Sequence, residues 1–217
     1  MELYRAIAAE PALRYGGVQY YCGSQQHIEG YAARETAMQD RAAYLRTALD
    51  ALEAAGGKPA IVSGGGTGTH RIDATLGLFT ELQVGSYVFM DDQYRACALT
   101  AKEGEVPFET SLLIDTRVIS VNSPGLVTVD AGIKSMATDA KPPLIAAGTA
   151  EGTVYFFMGD EQGALVHPAG EVPALDAIVS LNAPHCDPTV NLYDTYHVVS
   201  GNILIDLWPV SARGRSR

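Results

Sequence analysis

The sequence predicts an α/β region over residues 1–97 followed by a mostly antiparallel β region over residues 98–217. Two observations carry this. A strand ending near Tyr21, a long amphipathic helix and the short apolar strand Ala60-Ile61-Val62 succeed one another, which is the βαβ arrangement of a parallel sheet. Beyond residue 98 the texture changes to short β-type runs punctuated by glycines.

The elements follow in order. Leu3, Tyr4 and Ile7 give one amphipathic turn that Pro11 ends, and residues 14–21 read as a strand through Val18, Tyr20 and Tyr21. A helix begins near Glu29, because Met38, Ala42, Leu45, Leu49 and Leu52 fall four, three, four and three residues apart on one face. Gly56 and Gly57 terminate it, and Pro59 prevents its resumption. The apolar strand 60–62 is of the kind covered on both faces. A short helix over 71–78 and a third strand region over 81–91 are expected next. In the second region the β signals lie at 109–121, 126–130, 153–157, 177–181, 196–200 and 203–207, with Gly125, Gly132, Gly152 and Gly163 at expected turns. Three parallel strands make neither a closed barrel nor a comfortable open sheet, so unpaired edges are expected.

Composition narrows the function. A hydrophobic share of 47% and a charged share of 18% fit a packed globular chain. A net charge of −10 argues against nucleic acid or an anionic membrane as the partner. No apolar run has the length of a membrane span, and the N-terminal residues lack a signal-peptide pattern. Cys22, Cys97 and Cys186 are odd in number and widely spread, which suits neither a disulfide framework nor a zinc finger. A cytoplasmic location is the resulting expectation.

Two signatures bear chemistry. Residues 61–69, Ile-Val-Ser-Gly-Gly-Gly-Thr-Gly-Thr, read as a buried strand opening into a turn whose amides can face a phosphate. The run lacks the Gly-Lys-Ser/Thr of a Walker loop and is not a GxGxxG fingerprint, so alone it also fits a plain strand-to-helix turn. Residues 184–188, Pro-His-Cys-Asp-Pro, place His185 and Asp187 two apart, so an extended segment could aim both at one cation while Cys186 points the other way. An isolated His-x-Asp is otherwise most often a surface pair.

At these residues the chain resembles the fold-type III pyridoxal phosphate enzymes, specifically the D-threonine aldolase and D-serine dehydratase group. The resemblance runs through Gly17-Val18-Gln19-Tyr20-Tyr21 with Gln26-His27, then residues 62–69, 80–91, 129–134 and 184–191, and finally 208–214. It implies the last strands of an alanine-racemase-like (β/α)8 barrel, a pyridoxal phosphate-binding portion at 1–97, followed by a β-domain at 98–217 that carries the metal site. The barrel's N-terminal half, with the Schiff-base lysine and an arginine facing the pyridine nitrogen, is expected before Met1.

The resemblance also assigns residues. Ser63, Gly65, Gly66, Thr67 and Gly68 would cradle the phosphate of pyridoxal phosphate through amides and a hydroxyl, the glycines permitting close backbone approach. Tyr21 matches a tyrosine that lies against the cofactor, although a strand-end tyrosine is usually packing. His185 and Asp187 would bind a divalent metal, Mn²⁺, Mg²⁺ or Co²⁺; zinc goes with the dehydratase-like members that carry cysteine where this chain has Asp187. His27 is the expected acid/base group, taking a proton from a metal-acidified β-hydroxyl, with a core histidine as the plainer reading. Gln83 and Tyr87 fall on a family strand without an assigned role. Lys134 belongs to a β-domain motif and is expected to be structural or substrate-facing, while Lys58, Lys102 and Lys141 are expected in solvent. His70, His167 and His197 are expected in packing or surface roles, and Arg213, Arg215 and Arg217 in a frayed basic tail.

The expected activity is a pyridoxal phosphate- and metal-dependent lyase that cleaves D-β-hydroxy-α-amino acids to glycine and an aldehyde, or to glyoxylate. The substrate partner is thus a small D-amino acid, and a homodimer is implied by the resemblance alone. Two alternatives stand beside it: a D-serine or D-hydroxyaspartate dehydratase on the same site, and a remnant without catalysis for want of the Schiff-base lysine.

Overall fold

The computed structural model describes residues 1–215 and divides into two compact units. The first holds Met1–Val88 and Tyr94–Phe108; the second holds Phe89–Gln93 and the chain from Glu109 onward. In chain order the elements are α1 (Glu2–Ala9), β1 (Gly17–Tyr20), α2 (Tyr31–Ala54), β2 (Ile61–Gly64), α3 (His70–Thr75), β3 (Glu81–Leu82), α4 (Asp92–Arg95), β4 (Leu113–Ser123), β5 (Leu126–Val129), β6 (Ile145–Ala147), β7 (Val154–Phe157), β8 (Gly163–Val166), β9 (Ile178–Asn182), α5 (Cys186–Val190), β10 (Thr195–Ser200) and β11 (Ile203–Pro209).

In the first unit β1, β2 and β3 form a parallel sheet with β2 central, Val18 opposite Val62 and Ser63 opposite Glu81. Gly17 allows β1 to enter this register: it has φ +152°, and a Cβ there would lie 2.1 Å from the Ile61 carbonyl oxygen. Helix α2 ends as its glycines predict, with Gly56 at φ +80° and the Gly57 amide returning to the Leu52 carbonyl. Met38, Ala42 and Leu45 of its stripe are buried, and Leu49 and Leu52 are half-buried. Met38 joins Cys22 and Ile72 in a small core against Tyr20 and Tyr31.

The same helix buries Arg34. Its guanidinium donates to the Ile28, Glu29 and Ala98 carbonyls and lies over the Tyr31 ring. Burial lowers its pKa. The strand expected over 81–91 is corrected: only Glu81 and Leu82 pair with β2, and Ser86–Val88 is a 3₁₀ turn. The Gln83 amide donates to Gly64, the last residue of β2, so there is no further strand edge to follow.

The second unit is built on a six-stranded antiparallel sheet in the order β6-β9-β4-β5-β8-β7. Period-two burial fixes its register, with Ile114, Thr116 and Val118 inside and Leu113, Asp115 and Arg117 outside. Val127, Val129, Leu165, Val179 and Leu181 complete the core with Tyr155 and Met136. The Tyr155 hydroxyl donates to the Ala131 carbonyl at 2.6 Å, and burial pushes its pKa up to about 12. Gly163 is not the expected turn. It opens β8, pairs with Val129 and Phe157, and leaves room for the Tyr155 ring, which a Cβ would meet at 2.3 Å. The hairpin β10–β11 turns at Gly201, φ +57°. Arg213 is held by Asp194 and the Asn191 carbonyl, which corrects the frayed-tail expectation, whereas Arg217 lies outside the described residues. The three-stranded parallel sheet and the antiparallel sheets are the α/β-plus-β architecture that the sequence predicts.

Candidate active site

The predicted residues fall into two loci, one in each unit. The first is the glycine loop at the carboxyl end of β2, buried from Val62 to Thr69. Its amides are partly used within the protein. The Gly66 amide donates to Thr69 Oγ1 at 3.3 Å and the Gly68 amide to Gln26 Oε1 at 3.1 Å, so both are turned into the protein and neither is available to an anion. Gln26 Nε2 donates to Thr69 Oγ1 at 2.9 Å, and the Thr69 hydroxyl donates to Asp73.

The glycines are required for reasons inside the chain. A Cβ on Gly68 would lie 2.0 Å from the Gln26 carbonyl oxygen, one on Gly66 2.6 Å from Gln26 Oε1, and one on Gly65 2.5 Å from Asp73 Oδ2. Asp73 is fully buried, and burial pushes its pKa up to about 6 against the opposing pull of the Thr69 hydrogen bond. Gln26 and Asp73 support the loop without a sequence signal that marks them. Gln26 was visible only as the neighbour of His27, and nothing in Gln25-Gln26 tells which glutamine turns inward.

Around this loop the other residues gather. Tyr21 is 45% exposed, and its ring lies 3.2 Å from where a Gly66 Cβ would stand. Thr67 Oγ1 accepts from the Tyr87 amide, and His70 Nδ1 donates to the Thr67 carbonyl. Ser63 Oγ donates to Glu81 and accepts from Gln83 Nε2, which ties Ser63 into the sheet face. His27 is exposed with its ring 4.6 Å from the buried Tyr94 ring, so it is not a core histidine.

The second locus is the start of α5. His185 is its N-cap in extended conformation (φ −144°, ψ 120°), and Asp187 lies in the first helical turn. The extended segment of the sequence reading is thereby corrected. Cys186 does not alternate away as a strand residue would; it is the buried first residue of α5, its Sγ 3.6 Å from Asp187 Oδ1. The helical turn nevertheless sets His185 Nε2 3.8 Å from Asp187 Oδ2. Two donors each about 2.1 Å from one ion stand roughly 3 to 4.2 Å apart, so this pair fits a single divalent cation. Among the described residues no cluster of three or more His, Cys, Asp or Glu forms a metal cage; a two-residue clip suits cations that keep water or substrate oxygens.

The clip is pinned from three sides. Asp91 Oδ2 accepts the Cys186 amide at 2.9 Å, Thr189 Oγ1 donates to the His185 carbonyl at 2.7 Å, and Asp139 Oδ2 stands 2.8 Å from His185 Nδ1. No sequence signal marked Asp139, 46 residues away. Lys134 is exposed and ion-paired with Glu161 and Asp160, and the Glu161 hydrogen bond raises its pKa. Such an amine stays protonated, which suits a surface role.

Comparison with known proteins follows the same lines. Residues 111–199 match the family described as "Putative serine dehydratase domain". The chain is 37% identical over 219 residues to a 3-hydroxy-D-aspartate aldolase from Paracoccus denitrificans, covering 99% of this chain and 55% of the relative. A crystal structure of D-threonine aldolase from Filomicrobium marinum superposes with a TM-score of 0.89 at 31% identity, over 98% of this chain and 57% of the other. An alanine racemase-like protein from Idiomarina loihiensis shares the fold, with a TM-score of 0.71 at 17% identity over 89% and 55% of the two chains. The chain spans about half the length of the curated relatives it matches.

Proposed function

Starting from a chain that resembles the D-threonine aldolase and D-serine dehydratase group of fold-type III pyridoxal phosphate enzymes along its whole length, we propose that it carries cofactor- and metal-binding parts of a lyase acting on D-β-hydroxy-α-amino acids. The observation that supports this most is the His185–Asp187 clip, two ligand types set 3.8 Å apart by a helix start. Enzymes of this group generally depend on pyridoxal phosphate.

When bound, pyridoxal phosphate supplies an electron sink for the carbanion left as the Cα–Cβ bond breaks. The loop 63–69 would hold its phosphate. With the Gly66 and Gly68 amides committed to Thr69 and Gln26 and the Ser63 hydroxyl to Glu81, we assign that contact to Gly65 and Thr67, with Ser63 fixing the strand end beneath them, and the flank of the ring to Tyr21. The loop is stiffened by those bonds before any ligand arrives, which lowers the ordering cost of binding. His185 and Asp187 would hold a divalent cation that acidifies the substrate's β-hydroxyl. The resemblance, in which zinc goes with a cysteine at the second ligand position, points to Mn²⁺, Mg²⁺ or Co²⁺ for a His185–Asp187 pair; Cys186 is buried in α5. By the resemblance, His27, whose ring is exposed, would take the hydroxyl proton.

The family description at residues 111–199 favours one second reading, a dehydratase that eliminates the β-hydroxyl. The two differ in products. With the barrel half that carries the Schiff-base lysine supplied, the aldolase reading expects glycine and acetaldehyde in equal amounts from D-threonine with pyridoxal phosphate and Mn²⁺; ammonia with 2-oxobutanoate would establish the dehydratase instead. The resemblance also carries a homodimer. The buried cysteines, none in a disulfide, suit the reducing cytoplasm.

A further inference from the structure

His185 has two ring nitrogens, and only one can meet a metal held with Asp187. We propose that Asp139 decides which: it is a positioning residue that accepts the Nδ1–H of His185 and so presents Nε2 as the coordinating atom. The inference rests on the reading of His185 and Asp187 as a metal clip and adds to it the residue that orients the clip.

The geometry is specific. Asp139 Oδ2 lies 2.8 Å from Nδ1, whereas Asp187 Oδ2 lies 3.8 Å from Nε2, beyond hydrogen-bond reach. A carboxylate only accepts, so the proton of the neutral ring sits on Nδ1 and the lone pair on Nε2. The backbone on either side is held separately, through Asp91 on the Cys186 amide and Thr189 on the His185 carbonyl. Thr189 Oγ1 in turn accepts the Ala137 amide at 3.0 Å. Residues 137–139 therefore touch the α5 region twice, once at its backbone anchor and once at the imidazole. Backbone anchors leave the ring free to rotate and to change tautomer; the Asp139 bond removes both freedoms. A carboxylate behind a metal-bound imidazole also makes the ring a stronger donor.

The test titrates Mn²⁺ alone into the 217-residue protein, reading free Mn²⁺ by electron paramagnetic resonance, and compares wild type with His185→Ala, Asp139→Ala and Asp139→Asn. His185→Ala is expected to abolish the site. Asp139→Ala is expected to weaken it about 10- to 100-fold, and Asp139→Asn, which keeps a neutral acceptor, to fall between it and wild type. Nitrogen-15 NMR of the metal-free protein should find the His185 proton on Nδ1 in wild type and moved to Nε2 in Asp139→Ala, a change that a merely structural contact would not produce. Asp139 is half-exposed, 54% by its side chain, so the thermal unfolding of its variants should match wild type; if Asp139→Ala fails to fold, Asp139→Asn carries the test. Mn²⁺ binding that needs His185 but is unchanged in both Asp139 variants overturns the positioning role and leaves the metal clip standing. Absent binding, or binding indifferent to His185→Ala, overturns the clip and this inference together.

Discussion

Gln26 Nε2 donates to Thr69 Oγ1 across 43 residues of sequence, at 2.9 Å, and this bond closes the glycine loop onto the turn after β1. Through the same side chain the Gly68 amide finds its acceptor. Gln26→Ala leaves a buried amide and a buried hydroxyl without these partners. It is expected to cost about 1–3 kcal/mol in urea unfolding and to weaken pyridoxal phosphate binding, read by cofactor absorbance, at least severalfold.

Gly68 and Gly85 make a matched pair. A Cβ on Gly68 would meet the Gln26 carbonyl at 2.0 Å, whereas nothing lies within 4 Å of one on Gly85. Gly68→Ala should therefore destabilise by roughly 1–3 kcal/mol or more, and Gly85→Ala should leave the unfolding midpoint nearly unchanged. Equal effects would remove the close approach as the reason for the loop's composition.

Asp73 gives a pH dependence with a definite sign. Its folded-state pKa of about 6 stands above the ordinary 3.8, because burial disfavours the carboxylate. The folded protein thus holds a proton through a window in which the unfolded chain has released it. The stabilisation from this group is full below about pH 4 and is lost as pH rises through about 6. The loss is bounded at about 3 kcal/mol by the size of the shift. Asp73→Asn should flatten the difference in unfolding free energy between pH 5 and pH 8; an unchanged slope would assign it to other groups.

His27 is exposed and meets the core through its ring contact with Tyr94, so His27→Gln should lower the unfolding temperature by no more than a few degrees. Its loss as the proposed base, in an enzyme that also holds the Schiff-base lysine, should lower kcat for D-threonine cleavage about 10²- to 10⁴-fold. A stability loss matching the activity loss would make it a structural residue.

Periodic features were legible in the sequence, and features set by distant contacts were not. The α2 stripe of Met38, Ala42 and Leu45, its glycine stop and the alternation of β4 all follow from local spacing. The buried Arg34 did not, because the Ile28, Glu29 and Ala98 carbonyls that accept from its terminal nitrogens come from loops. Gly163 read as a turn because glycine usually marks one; here it is the space that Tyr155 fills. At the clip, His185 and Asp187 were legible as residue types, but their setting was read as a strand. The two-residue spacing suited an extended segment, while the Asp91 carboxylate on the Cys186 amide supports a helix start. Asp139 had no signal at all, since only folding brings residues 46 apart onto one ring.

The most direct measurement is anomalous diffraction at the manganese edge from crystals grown with Mn²⁺. The account predicts one peak between His185 Nε2 and Asp187, at about 2.0–2.3 Å from each, with Asp139 still on Nδ1. A peak bound elsewhere, or a His185 ring turned so that Nδ1 faces Asp187, would contradict it.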